Sequence, residues 1–433
     1  MPGVRSAYRG AVANVLNSKT DDPEPGAPRD HAGKEAPLLS APREGVPPVV
    51  SDEAHLARVV ETFGSAAGPV AVDAERASGY RYGQRAYLVQ LRRAGAGSAL
   101  IDPVACPDLT DLDAAFAGAE MVLHAAHQDL PCLSELHLRP DRLFDTELAG
   151  RLLGYQRVGL GSMAERVLGL RLAKEHSAVD WSTRPLPEDW LCYAALDVEI
   201  LIDLRDALEA ELDEAEKLEW AREEFAAVLA TPPKEPRPDP WRRTSGIHKV
   251  RNQRALGAVR EIWLERDRIA RERDMSPGRV LPDSGIVEAA TAMPRTAQEL
   301  AAIKPFSMRL ARRYVPVWIK AIDRVRDMPV PELPQPSVPG DGPPPTNRWA
   351  DRDPEAASRL EAARETVSAI AERVAMPTEN LLQPDAVRRL AWAPPSTITT
   401  DAVAEHLRDN NVREWQVALT AEALGEALHT AHG

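Results

Sequence analysis

The stretch VAVDAERASGYRYGQRAYLVQL, Val70 to Leu91, decides the fold. It opens with small and β-branched apolar residues over the length of a buried strand. Asp73 and Glu75 interrupt that run two positions apart. Alternate side chains of an extended strand point to one face. Both carboxylates therefore project side by side, repel each other and lose hydration. Two acids on one face of an apolar strand cost free energy unless a cation compensates. Hard divalent cations such as Mg²⁺ take oxygen ligands of this kind. Taken alone, the pair fits a solvent-facing sheet edge equally well.

Working outward, VVSDEAHLARVVETFG reads as an amphipathic helix with Ser51 as its cap. RAYLVQLRR is a second strand, SALIDP a third and MVLHA a buried fourth, followed by the helix-like QDLPCLSEL. FDTELAGRLLG opens a helix, SMAERVLGL is another, and LPEDWLCYAALDVEILIDLRDALEAELDEAEK is one long helical stretch. Strands followed by helices predict an α/β domain over 49–231. Residues 1–48 are rich in Pro, Asp, Glu, Gly and Ala without periodicity and read as a disordered arm. The linker PPKEPRPDP ends at 240, and 241–328 reads as helices only. A Pro-rich linker over 329–348 separates it from a last helical unit, 349–433. LGAVREIWLERDRIARERDMSPGRVLPDSGI from Leu256 resembles LEAARETVSAIAERVAMPTENLLQPDAV from Leu360. Each has a long helix, a Met and a Pro-Asp pair, so the last unit reads as a diverged copy about 100 residues downstream.

Composition removes several classes of function. The net charge of −13 argues against a uniformly basic nucleic-acid binder. The charge is uneven, however, because Trp241 to Val330 carries 19 Lys and Arg against 10 Asp and Glu. Cys106, Cys132 and Cys192 form no Cys-x-x-Cys pair and read as thiols of a reducing compartment. No apolar run reaches the roughly 18 residues of a membrane span, and a basic-then-apolar leader is not seen. The expectation is a cytoplasmic protein with no membrane partner.

Further acids give the first pair its meaning. Asp129 follows a buried strand-like run in LHAAHQD, and Tyr193 and Asp197 lie four apart in CYAALD, on one helix face. In isolation Asp129 reads as a helix-start residue and Tyr193 as a core aromatic. In this order the set is far more specific. From about 69 to 210 the chain resembles the ribonuclease D family of 3′-to-5′ exonucleases. The family signature is Asp-x-Glu, an Asp after a His-containing strand, then Tyr-x-x-x-Asp. Here these are Asp73 and Glu75, Asp129 with His124 upstream, and Tyr193 with Asp197. DTELAG at Asp145 and VDWSTRPLPEDW at Val179 also resemble family segments, and Ile247 to Arg324 resembles the HRDC module of ribonuclease D and RecQ helicases.

The resemblance implies a ribonuclease H-like 3′-5′ exonuclease domain followed by all-α HRDC domains. It implies two divalent metal ions, Mg²⁺ or Mn²⁺, about 3.5–4 Å apart. Asp73 would bridge them, Glu75 and Asp197 would hold the ion that activates water, and Asp129 would act at the other through its water shell. Tyr193 would orient the attacking water, since a phenol with a pKa near 10 is a poor base at neutral pH. Gln90, His124, Lys174, Trp181 and Arg184 are the residues that would meet substrate, with Arg or Lys on phosphate and Trp stacking or packing. The implied partner is RNA with a free 3′ end, such as a tRNA precursor, cut to nucleoside 5′-monophosphates. DNA remains open because the same carboxylates serve both and no contact to a 2′ hydroxyl is legible. An inactive nucleic-acid-binding adaptor is the third reading, weakened by the presence of all four acids and the Tyr. One departure stands out. An apolar residue such as Phe commonly follows Asp-x-Glu in the family, and here Arg76 follows, then Ala77, Ser78 and Gly79. By the resemblance, the change would alter how a terminal base is wedged, and it removes no metal ligand. In the helical segment, Arg266, Arg268, Arg271 and Arg273 cluster as candidates for phosphate contact, against Glu265, Asp267 and Glu272.

Overall fold

The computed structural model describes residues 36–173, 178–233, 235, 237–336 and 342–431. Its strands are β1 (Leu38–Leu39), β2 (Val49–Val50), β3 (Val70–Arg76), β4 (Ala86–Arg93), β5 (Gly97–Ile101), β6 (Glu120–Leu123), β7 (Arg142–Asp145) and β8 (Arg171–Leu172). Six of them form one mixed sheet in the order β2-β5-β4-β3-β6-β7. β4 runs antiparallel to both of its neighbours, while β3, β6 and β7 are parallel to one another. β3 is central because Val70, Ala71 and Val72 bury both faces of its first half. β1 pairs with β8 in a separate two-stranded ladder.

Helices cover both faces. The first, α1 (Glu53–Ser65), is capped by Asp52, whose carboxylate accepts from the His55 backbone N–H at 2.8 Å. Ser51, the expected cap, lies one residue outside. Next come α2 (Leu130–Glu135), α3 (Thr146–Leu152), α4 (Glu188–Glu199), α5 (Leu201–Glu214) and α6 (Leu218–Ala230). The long stretch expected as one helix is thus two, divided at Ile200, and it ends at a left-handed Glu216 before α6 begins. β7 is a further difference, because only Leu143 and Phe144 of its four residues are apolar, whereas β6 carries the apolar run Met121 to Leu123. Leu143 and Phe144 are buried nonetheless.

α4 lies on the sheet face that carries Asp73 and Glu75. Between them Tyr87, Leu88, Leu100, Trp181, Ala194 and Ala195 form a small core of their own. The other face packs into a larger core that continues into the last helical unit. Ala36 to Pro48, expected as part of a disordered arm, are described and sit against α4. The Arg43 guanidinium is 3.8 Å from the Glu199 carboxylate, and the Cys192 thiol contacts the Ser40 carbonyl at 3.5 Å.

The remainder is helical and falls into two units. α7 (Gln253–Glu272), α8 (Asp283–Ala292) and α9 (Val315–Asp327) belong to the first unit. α10 (Pro354–Arg373), α11 (Pro384–Trp392), α12 (Thr400–Asp409) and α13 (Glu414–Thr430) belong to the second. α7 and α10 are both 20 residues long. An Asn252 or Asp353 side chain caps each by accepting from a backbone N–H three residues on. Each ends at a left-handed residue, Asp274 or Ala375. Both units dock on the α/β domain through that same turn. The Ser276 N–H donates to the Tyr80 carbonyl at 2.9 Å, and the Tyr82 hydroxyl donates to Asp267 at 2.9 Å. In the second unit, the Ala375 carbonyl accepts from Lys217 Nζ at 3.2 Å, and Trp415 stacks on Trp220 with centroids 5.0 Å apart. No helix among the described residues is long and apolar enough to cross a membrane.

Gly154 is the tightest point of the second contact. Its φ is +78°, and a Cβ there would stand 2.4 Å from the Ala375 carbonyl oxygen. Gly154→Ala is therefore expected to lose about 2 kcal/mol or more of stability through strain and overpacking. Denaturant unfolding would measure it, with faster tryptic release of the last helical unit as the local sign. A variant as stable and protease-resistant as the wild type would contradict this contact.

Candidate active site

Strand alternation places Asp73 and Glu75 on the α4 face, near the C-terminal end of β3. β6 lies parallel beside β3, with Val70 opposite Met121 and Ala71 opposite Val122. The chain leaving β6 therefore turns at the same end of the sheet and delivers Asp129 there. That turn is held by Asp145. Its two carboxylate oxygens accept from the Ala125 and Ala126 N–H groups at 3.0 and 2.9 Å, and one also accepts from Glu147 and Leu148 at the start of α3. Ala125 is left-handed, with φ +59°. Four backbone donors on one carboxylate thus fix the turn that presents Asp129.

From the opposite side α4 supplies Tyr193 and Asp197, one turn apart. The Tyr193 hydroxyl donates to the Asp197 carboxylate. Oxygens of Asp73, Glu75 and Asp197 all lie within 4.8 Å of one another. Asp129 completes the group and meets the Arg76 guanidinium at 3.4 Å. The C-terminal end of α4 is pinned by Glu199, fully buried and 3.0 Å from Arg92 on β4.

Electrostatics follow from the crowding. Burial raises Asp73 above the ordinary carboxylate range. Burial, then the charges of Asp73, Asp197 and Asp129, push Glu75 well up. Burial and Asp73 do the same to Asp197, against the Tyr193 hydrogen bond. Asp129 is pushed up to about 8 by burial and Asp73, with Arg76 opposing. The Tyr193 hydroxyl also rises, through burial and the Asp197 charge first, so it keeps its proton at neutral pH. These oxygens are the hard donors that Mg²⁺ and Mn²⁺ take, and divalent charge is what the crowded acids lack. The donor set fits such ions.

The structure brings Asp73, Glu75, Asp129, Tyr193 and Asp197 together, but not the substrate contacts expected beside them. Gln90 is fully buried opposite Asp73 in the β3–β4 register, its amide without a hydrogen-bond partner. It faces Asp73 and is closed to a nucleotide. Trp181 is also fully buried, edge-on to Trp190 at 5.6 Å, and so packs. Arg184 is locked to Asp102 by two hydrogen bonds of 2.7 Å and donates to the Tyr87 and Trp181 carbonyls, so no face is left for phosphate. His124 bonds Thr146 at 2.9 Å, and burial lowers its pKa to about 4, leaving it neutral. Lys174 lies outside the described residues. The arginine cluster of α7 is neutralised: Arg266 pairs with Asp283, Arg268 with Glu265 and Glu272, and Arg271 with Asp267, while Arg273 donates to the Tyr314 hydroxyl. Lys304, Arg309, Arg312 and Arg313 are among the exposed cations of that unit. Glu199 and Arg92 were not legible as a pair, and their signal was only an acid two residues after Asp197.

A family model described as 3′-5′ exonuclease matches residues 47–213. The HRDC domain model matches 255–322. A model described as 3′ to 5′ exonuclease C-terminal domain matches 342–428. The ribonuclease D of Gluconacetobacter diazotrophicus is 32% identical over 288 residues, covering 64% of this chain and 72% of that protein. A crystal structure of a protein from Bifidobacterium adolescentis superposes with a TM-score of 0.83 at 40% identity, over 91% of this chain and all of that one. Escherichia coli ribonuclease D, described as an exoribonuclease involved in structured RNA processing, superposes with a TM-score of 0.63 at 25% identity, over 84% of this chain and 97% of that one.

The raised acids make stability depend on pH. Asp129 titrates near 3.8 when unfolded and near 8 when folded, so between those values the folded chain binds the extra proton. Stability then falls as pH rises through that window, by up to about 1.4 kcal/mol per pH unit for each such carboxyl. With chelator present, the melting temperature is expected to drop from pH 5 to pH 8. Asp129→Asn should make the drop shallower, and Mg²⁺ should restore the loss at pH 8. A slope that neither change affects would refute the assignment.

Proposed function

The chain belongs to the ribonuclease D family and is a 3′-to-5′ exoribonuclease, and we propose that Asp73, Glu75, Asp129, Tyr193 and Asp197 are the residues with which it hydrolyses RNA from a free 3′ end. The observation that carries the assignment is the convergence of Asp73, Glu75 and Asp197 oxygens within 4.8 Å. Asp73, Glu75, Asp129 and Asp197 would hold two divalent cations, Mg²⁺ or Mn²⁺, which supply an activated water and offset the charge of the leaving oxyanion. Tyr193 keeps its proton and is hydrogen-bonded to Asp197, so its part is to donate and to orient. It does not abstract a proton. Asp145 and the Glu199–Arg92 pair keep the turn and the helix in place.

The proposed substrates are tRNA precursors and other structured RNAs, met in the cytoplasm and released as nucleoside 5′-monophosphates. The likeness to Escherichia coli ribonuclease D over most of both chains supports this reading. The exposed cations Lys304 to Arg313 would hold the RNA backbone without reading sequence. We also read 349–433 as a diverged copy of 241–328, supported by the equal first helices and the shared left-handed turn.

The test uses 5′-labelled single-stranded RNA and a matched DNA, with Mg²⁺, Mn²⁺ or chelator. Metal-dependent shortening from the 3′ end is expected, faster on RNA. Asp73→Asn should lose on the order of 10³-fold or more in rate. Tyr193→Phe should lose roughly 10²-fold in kcat with little change in KM, as an orienting donor requires. Full activity in Asp73→Asn would overturn the site, and an equal or higher rate on DNA would overturn the choice of RNA.

A further inference from the structure

Arg76 stands where strand alternation would not put it. Side chains at adjacent positions of a strand point to opposite faces, so the residue after Glu75 should turn away from the acids. The β3–β4 register slips at this point. Glu75 lies opposite Leu88 and Arg76 opposite Ala86, with Tyr87 left over. Such a bulge re-aims the side chain beside it. Here it accompanies an Arg76 guanidinium whose Nη2 is 3.4 Å from Asp129 Oδ1. Among the described residues no other Lys or Arg stands at ion-pair distance from the four acids.

We propose that Arg76 is an exchangeable counter-ion of this site: it pairs with Asp129 until divalent cations enter, and then binds the phosphodiester about to be cut. The inference rests on the exonuclease reading above. Three observations carry it. The pair is held by one contact of 3.4 Å, whereas Arg184 grips Asp102 with two bonds of 2.7 Å. A single long contact is the weaker and more readily exchanged of the two. The Arg76 side chain is 24% exposed and that of Asp129 is 7% exposed. The guanidinium therefore sits at the mouth of the site, open to solvent on one side and to a buried carboxylate on the other. Charge gives the third. Four carboxylates balance two divalent cations, which leaves the Arg76 charge to match the single negative charge of a phosphodiester. A planar guanidinium is suited to two phosphate oxygens.

The experiment uses the full chain as wild type, Arg76→Gln and Arg76→Lys, each first checked by thermal melting. Mn²⁺ is titrated by calorimetry without RNA. RNA affinity is then read by fluorescence anisotropy in Mn²⁺, on one strand with a 3′-terminal phosphorothioate linkage, which is charged and cut slowly, and on one with an uncharged methylphosphonate. Arg76→Gln is expected to bind its weaker Mn²⁺ about tenfold more tightly, because nothing competes for Asp129, and the phosphorothioate RNA about tenfold more weakly. The methylphosphonate RNA should bind the wild type and Arg76→Gln alike. Arg76→Lys should fall between them on both readouts, and it carries the test should Arg76→Gln melt early. An unchanged Mn²⁺ isotherm, or equal losses on the two RNAs, would overturn the exchange while leaving the exonuclease standing. A wild type that binds no Mn²⁺ would overturn both.

Discussion

Four carboxylates, three half-buried and one buried, crowd the end of one strand, and the rest of the domain is arranged around tolerating that. Asp73 and Glu75 cannot be separated, because they share a strand face. Asp197 is brought within 4.8 Å of both from a helix laid across the sheet. Each added acid raises the others, so the ionised cluster carries unfavourable charge that a divalent cation, or at lower pH a proton, relieves. Structure that would otherwise be incidental is recruited to hold it. Asp145 ties down the turn carrying Asp129, and Glu199 with Arg92 anchors α4 to β4. The residues from Ala36 to Pro48 close over the junction of α4 and α5, where Arg43 meets Glu199 and Asp203.

The helical units meet this domain through one motif used twice. A long helix ends at a left-handed residue, and the turn that follows docks by its backbone, at Tyr80 for the first unit and at Gly154 for the second. Backbone contacts of this kind depend on chain geometry more than on side-chain identity. That explains how two helical units with different sequences share a docking element. The first contact falls in the loop that directly follows β3. The HRDC unit therefore touches the segment next to Asp73 and Glu75, with Arg279 over the Tyr80 ring at 4.0 Å.

Arginine is the residue whose role changes most between sequence and structure. Runs of it on α7 resemble a phosphate-binding face, yet nearby carboxylates and hydroxyls take them up. Arg184 is bound to Asp102 as part of the core boundary. Spacing along a chain does not say whether a guanidinium has found an acid, because its partner can be distant in sequence. Asp102 and Arg184 are an example, 82 positions apart.

By itself the sequence determined the class of fold, the principal strands β3 to β6 and the set Asp73, Glu75, Asp129, Tyr193 and Asp197. These are local or periodic signals: an apolar run interrupted at a two-residue spacing, a Tyr and an Asp one turn apart, Pro-rich breaks between units. Tertiary structure alone decided that Gln90 and Trp181 are buried, that Arg142 to Asp145 form the strand β7, and that the stretch from Ala36 to Pro48 sits against α4. It also decided that Arg76 faces Asp129. Each of these depends on what packs from elsewhere in the chain. A residue's periodicity is written in its neighbours in sequence, whereas its burial and its counter-charge are set by neighbours in space.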